Sequence, residues 1–254
     1  MTRVWTALLL APAVLAIALW GPGWLFLVLV AAVALLCFYE YAGIVAAHGI
    51  PPPGPAAYAA GLALLVVHGE ELLLLTLLAL VALILAARQS GLEDVLPAAA
   101  ATSLGVLYVF GSLRFALELR AESPYWLVFA LGLNWAGDTT AYYAGRAFGR
   151  HKLAPRLSPA KSWEGSLAGL AASLLFGVLF LGRFVPQVSW TERVVLSAAG
   201  NLAGQLGDLC ESALKRGAHL KDSGRLLPGH GGWLDRLDSS LFALPMVYLL
   251  LRLL

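Results

Sequence analysis

Nine apolar runs dominate this sequence, at about residues 4–20, 22–39, 56–69, 72–87, 95–113, 125–145, 165–182, 193–209 and 240–254. A helix that crosses a bilayer needs about 20 mostly apolar residues, and the majority of these runs approach that length. Only 13% of the residues are Asp, Glu, Lys or Arg, against roughly 25% in an average soluble domain. That charge cannot cover the surface of a soluble globule. The 60% hydrophobic content excludes disorder. The expected fold is therefore all-α: a polytopic membrane bundle of about nine transmembrane helices. The runs at 56–69 and 240–254 are short, so eight to ten crossings fit the pattern.

Details of the apolar half add little chemistry. The first run leads into Gly21-Pro22-Gly23 and a second run, which reads as an uncleaved helical hairpin and not a signal peptide. Pro51-Pro52-Pro53-Gly54-Pro55 reads as a stiff interhelical connector, because proline fixes φ and donates no hydrogen bond. Cys37 and Cys210 show no metal-binding spacing and read as small apolar thiols. A net charge of +2 argues against nucleic acid as a partner.

With nine spans, Arg3, Arg88, the basic residues from Arg146 to Lys161 and those from Lys215 to Arg236 fall on one side. Arg114, Arg120, Arg183, Arg193 and Arg252 fall on the other. The positive-inside rule puts the first set, and both large basic loops, in the cytoplasm. Residues 1–124 are read as N-terminal transmembrane helices. Residues 125–254 are read as the catalytic transmembrane region, with cytoplasmic loops 146–164 and 215–239.

The scarce charge is concentrated. Residues 138–164 carry seven charged side chains and residues 208–238 carry ten. Asn134 and Asp138 lie one turn apart in a stretch that otherwise reads as a membrane helix. Asn201, Gln205, Asp208, Ser212 and Lys215 recur at spacings of 4, 3, 4 and 3, which places them on one helix face, with Glu211 beside them. A carboxylate near membrane depth costs several kcal/mol unless paired, hydrated or metal-bound, so Asp138 and Asp208 are candidates for a site. The competing reading is a set of interhelical polar clamps.

After this ladder, residues 221–239 combine Lys221, Asp222, Arg225, His230, Asp235, Arg236 and Asp238 with Gly224, Gly229, Gly231 and Gly232. Glycine lets successive N–H groups approach an anion closely. Lys and Arg neutralise phosphate. Asp235 and Asp238 are one helical turn apart, and hard oxygen ligands suit Mg²⁺, which takes one or two carboxylates with phosphate oxygens and water. His230 either binds phosphate or holds the loop. Ser158-Pro159-Ala160-Lys161-Ser162-Trp163-Glu164-Gly165 places Lys161 just ahead of the next span, where it reaches a phosphate or anchors the chain at the headgroup plane.

These residues resemble the phosphatidate cytidylyltransferase (CDP-diacylglycerol synthase) family. The likeness rests on Ser212-Ala213-Leu214-Lys215-Arg216, Lys221-Asp222-Ser223-Gly224, Leu227-Pro228-Gly229-His230-Gly231-Gly232 and Asp235-Arg236-Leu237-Asp238. Gly207 to Ser212, Ser158 to Gly165 and Asp138 to Gly149 look like further motifs of the family, so the likeness covers roughly the C-terminal half. Trp233 stands where the family usually has an aliphatic residue.

The resemblance implies that CTP and phosphatidate give CDP-diacylglycerol and pyrophosphate with Mg²⁺, and allows a second, monovalent cation such as K⁺. It also implies a homodimer, multi-pass in the inner or plasma membrane, with its active site facing the cytoplasm. On that reading Asp208 and Asp235 are catalytic and bind metal with Asp238, and Asp138 and Glu211 are further metal candidates. Lys161 and Lys215 are catalytic. Arg216, Lys221, Arg236, Ser212, Gly231, Gly232 and His230 bind substrate. Two other classes compete: a membrane kinase moving the γ-phosphate of CTP to a lipid alcohol, and a transporter using the buried Asp ladder.

Overall fold

The computed structural model describes residues 12, 14–89, 91–227 and 231–254. Among them the fold is all-α apart from one two-stranded ribbon. Most of the expected first run, with Arg3, lies outside the described residues; residues 14–20 are helical. There follow α1 (Gly23–Ala47), α2 (Pro55–Val66), α3 (Glu71–Gln89), α4 (Val95–Val106), α5 (Ser112–Glu122), α6 (Pro124–Phe148), α7 (Trp163–Phe184), α8 (Trp190–Gly217) and α9 (Leu234–Leu253). The prolines at 51–53 form a non-helical connector, and Pro55 takes the first turn of α2, where its missing N–H costs nothing.

Four stretches are long and apolar enough to cross a membrane by length and composition: Gly23–Ala47, Glu71–Arg88, Leu92–Glu122 and Trp163–Phe184. The third joins α4 to α5 through a π-turn at Leu107–Gly111. Helix α2 has only 12 residues, below the roughly 20 a span requires. Helices α6, α8 and α9 have 25, 28 and 20 residues, but their polar side chains keep them out of the apolar class. The nine expected crossings thus become, among the described residues, four apolar stretches, one short apolar helix and three long helices with polar content.

The two polar loops are shorter than the sequence suggests. Helix α6 continues to Phe148 and α7 begins at Trp163; α8 continues to Gly217 and α9 begins at Leu234. Ser162 Oγ accepts from Gly165 N–H at 3.1 Å and caps α7. What remains of the first loop is folded. Strand β1 (Lys152–Ala154) pairs antiparallel with β2 (Ser158–Ser162), with Lys152 opposite Ser162 and Ala154 opposite Ser158. Glu164 braces this ribbon by accepting from the N–H groups of Arg150 and His151 and from His151 Nδ1.

The chain packs as two compact units. One comprises Pro22–Arg114 and Leu214–Arg236. Its core centres on the fully buried Phe38, whose ring meets Tyr58 edge-on at 4.8 Å and Phe110 at 5.2 Å. Ala82, Ala86, Ala98 and Ala99 pack α3 closely on α4. Arg114 donates to the carbonyls of Leu64 and Val67, at the end of α2, and to Glu71 at the start of α3. It therefore ties a helix C-terminus, where a cation is favoured, to the next helix.

The other unit comprises Phe115–Ala213 and Leu237–Leu254 with residues 14–21. Helices α6 and α7 cross on small residues: a Cβ on Gly169 would lie 2.8 Å from Gly137 O, and one on Gly165 would lie 2.7 Å from Ala141 O. Such contacts let backbones approach where lipid supplies no hydrophobic drive between helices. Arg120 donates to Ala18, Ile17 and Gly21 carbonyls, and Arg193 to those of Val188 and Pro186. These two basic residues, counted in the topological argument, thus also cap backbone.

Gly169→Ala should lower stability by about 1–3 kcal/mol, because the new methyl meets backbone that cannot yield. Gly43→Ala, whose Cβ would meet nothing within 4 Å beyond its own helix backbone, should be neutral or slightly stabilising. Thermal unfolding of the two variants in one detergent checks the contrast.

Candidate functional site

Helix α8 carries the ladder that its spacing predicts, but the rungs divide. Asn201 Nδ2 donates to Ser173 Oγ at 2.8 Å, and Ser173 Oγ donates to Leu133 O at 2.7 Å. Gln205 donates to Asn201 Oδ1 and to Ser166 O, and accepts from Ser166 Oγ. Asn134 donates to Ser240 at 3.4 Å. These groups are interhelical clamps that satisfy one another where water is scarce.

The next rung is chemical in character. Asp208 Oδ2 forms an ion pair with Lys161 on β2, their side chains 28% and 26% exposed, and Asp208 Oδ1 faces Ser212 Oγ at 3.4 Å. Ribbon and helix cap together deliver the lysine: Ser162 is pinned as the N-cap of α7, so Lys161 stands one residue ahead of a fixed point. Glu211, beside the ladder, is fully buried. Asp138 lies exposed on α6, one turn beyond the buried Asn134. Asp238 Oδ1 accepts the Ser239 N–H at 2.7 Å.

A second cluster lies in the unit that holds Leu214–Arg236. Lys215 pairs with Asp235 Oδ1, and their side chains are only 9% and 5% exposed. Asp235 Oδ2 accepts the N–H groups of Ser223 and Gly232, each at 2.9 Å. Gly231 has φ +80, and a Cβ there would come within 2.7 Å of Asp235 Oδ2, so the turn demands glycine. The glycine-rich segment therefore wraps an anion, and that anion is a carboxylate of the protein. Burial pushes the Asp235 carboxyl up. The hydrogen bond and charge of Lys215 and the two N–H groups outweigh it and hold the carboxyl below its ordinary range.

Arg216 donates to Leu220 O at 2.9 Å and fastens the turn that ends α8. Lys221, Asp222, Arg225 and Arg236 are exposed. His230, with Pro228 and Gly229, lies outside the described residues.

Sequence reasoning passed over Glu40. The second apolar run, 22–39, stops at Tyr39 and leaves Glu40 as a flanking charge. Helix α1 instead continues to Ala47, so Glu40 lies inside it and is 3% exposed. Its Oε2 accepts from Ser223 Oγ at 3.0 Å and from Leu234 N–H at 2.9 Å. A lone carboxylate in an apolar helix is the same signal that marked Asp138. Among the described residues no three His, Cys, Asp or Glu side chains group around one point as metal ligands would. The donor chemistry of Asp208 still suits Mg²⁺, which needs only one or two carboxylates when phosphate and water complete its shell.

The whole chain, residues 1–254, matches the model of the Cytidylyltransferase family. Three curated proteins, each named phosphatidate cytidylyltransferase, are similar to it. That of Haemophilus influenzae is 44% identical over 146 residues, 54% of this chain and 51% of the relative. That of Staphylococcus saprophyticus is 40% identical over 148 residues, 58% and 57% of the two chains. That of Brucella abortus is 43% identical over 149 residues, 57% and 54%. The chain spans about half the length of the curated relatives it matches.

The two lysine–aspartate pairs should respond differently to loss of the lysine. Lys215→Met strands a buried carboxylate and should cost about 3–5 kcal/mol. Lys161→Met opens a pair with access to water and should cost no more than about 1 kcal/mol. Thermal shifts of the two variants, measured side by side in detergent without ligand, test the ranking.

Proposed function

The chain belongs to the cytidylyltransferase family, and we propose that it transfers CMP from CTP to phosphatidate, giving CDP-diacylglycerol and pyrophosphate at a membrane. The observation that carries this reading is the pairing of Lys161 with Asp208: a cation suited to phosphate and a carboxylate suited to a metal, held together and partly open to solvent. The names of the similar proteins support the same reaction.

The chemistry is a displacement at phosphorus. A phosphatidate oxygen bonds to the α-phosphorus of CTP, and the bond from that phosphorus to the bridging oxygen breaks to release pyrophosphate. The second pKa of a phosphomonoester is near 6, so the nucleophile is largely dianionic at neutral pH and no general base is required. The obstacle is one anion approaching another. Positioned cations therefore carry the catalysis, through neutralisation and alignment.

Lys161 exchanges Asp208 for a substrate phosphate. Lys215 stands fixed by Asp235, and Lys221, Arg216 and Arg236 bind further phosphate oxygens. Ser212, Gly231, Gly232 and His230 complete the substrate contacts. Asp208 would hold Mg²⁺, with Asp238, Asp138 and Glu211 as further candidate carboxylates; Asp235, already paired with Lys215, is a separate candidate ligand; K⁺ would occupy a second cation site. When bound, Mg²⁺ offsets the charge that gathers on the phosphate oxygens. The protein acts as a homodimer with its basic loops on the cytoplasmic side, where CTP is found.

Purified protein incubated with CTP, Mg²⁺ and phosphatidate should yield a CMP-bearing lipid and pyrophosphate. CDP with a lipid phosphate would overturn the reading in favour of γ-phosphate transfer. Lys161→Ala and Asp208→Asn should each lower turnover by at least about 100-fold, with the protein still folded in detergent. Wild-type turnover in both would remove this pair from the site.

A further inference from the structure

Glu40 is the one charged residue in the 25 residues of α1. It is buried, and its Oε2 reaches two donors far along the chain: Ser223 Oγ at 3.0 Å and the N–H of Leu234 at 2.9 Å. Leu234 opens α9, and the first N–H groups of a helix have no partner within it. Glu40 thus caps α9 from another helix. Ser223 is held from two sides, by Glu40 through its hydroxyl and by Asp235 through its N–H. Asp235 is in turn the partner of Lys215.

The glycines of this segment fit the same account. A Cβ on Gly224 would lie 2.5 Å from Glu40 Oε1, and one on Gly232 would lie 2.6 Å from Glu40 Cδ. The carboxylate fills the space that side chains at 224 and 232 would take. Further along α1's end, the Nε2–H of His48 donates to Leu214 O at 2.9 Å, beside Gly217. The N-terminal region thus grips the segment at both ends, one residue before Lys215 and at the start of α9.

We propose that Glu40 is a positioning residue for nucleotidyl transfer: by fixing Ser223 and the first turn of α9, it sets the place of Asp235 and hence of Lys215. The assignment rests on the proposed use of the Lys215–Asp235 pair in that reaction. A group that orients a reacting side chain through hydrogen bonds is typically worth 10–100-fold in activity.

The test is steady-state kinetics on purified protein in phosphatidate–detergent micelles with CTP and Mg²⁺, read as pyrophosphate release per folded, monodisperse protein. Glu40→Ala should lower kcat about 10–100-fold while KM for CTP moves less than about threefold. Glu40→Gln keeps the shape and an acceptor oxygen for both donors, and should restore kcat to within about threefold of wild type. Ser223→Ala should lose about 3–10-fold, and adding it to Glu40→Ala should cost little more, since both break one link. Wild-type kcat in Glu40→Ala, a Glu40→Gln as slow as Glu40→Ala, or losses that multiply would each overturn the assignment. Where Glu40→Ala does not fold, unchanged turnover in Ser223→Ala overturns it. A wild-type protein that makes no CMP-bearing lipid sinks the proposed reaction instead.

Discussion

A carboxylate removed from water is destabilised by several kcal/mol unless the protein supplies charge or donors in water's place. Much of the local architecture follows from where that compensation comes from. Asp235 draws on Lys215 and two loop N–H groups. Glu40 draws on a serine hydroxyl and the free N–H at the start of a helix. In each case the donors include backbone, so the chain must bend tightly around the oxygen atoms. The glycines at 224, 231 and 232 are the residues that allow the bend. The ordering of the polar segment is thus an electrostatic requirement before it is a catalytic one.

Much of this was legible in the sequence, and the boundary of what was legible is physical. The apolar runs at 22–39, 72–87 and 165–182 fall within or largely on the helices Gly23–Ala47, Glu71–Gln89 and Trp163–Phe184, because composition alone decides whether a helix can face lipid. Periodicity placed Asn201 to Lys215 on one helix, but spacing cannot say what faces each rung. Asn201 and Gln205 meet Ser173 and Ser166 and become clamps, whereas Asp208 meets a lysine. Glycine-rich composition suggested a nest for phosphate, whereas in the structure Gly232 donates to the protein's own Asp235. Sequence could not reveal this, because the cradle's nearest anion lies three residues on in the same segment. Glu40 escaped because the limit of its helix was set by hydropathy, which drops at any charge whether the helix ends there or not.

The lysine–aspartate pairs differ in their exposure, and this separates two uses of the same chemistry. Lys215 and Asp235 are shut away from solvent, so they hold each other rigidly and fix the segment around them. Lys161 and Asp208 stand about a quarter open, so neither is bound so tightly that a phosphate could not compete. The first arrangement gives preorganisation and the second gives exchange. The transfer proposed above calls for cations of both kinds, some in place beforehand and some able to change partners.

Ser223 lies 183 residues after Glu40 in the chain. At about 5–20 residues per second of synthesis, that separation corresponds to roughly 10–40 s. For that interval α1 is already made, and the donors that compensate its carboxylate have not left the ribosome. An apolar helix with a bare charge in its second half is a poor guest for lipid. Until residues 223–234 are made, the Glu40 carboxylate has neither of the two donors it meets in the folded chain. Folding of residues 223–234 onto Glu40 is then the step that gives this carboxylate its partners.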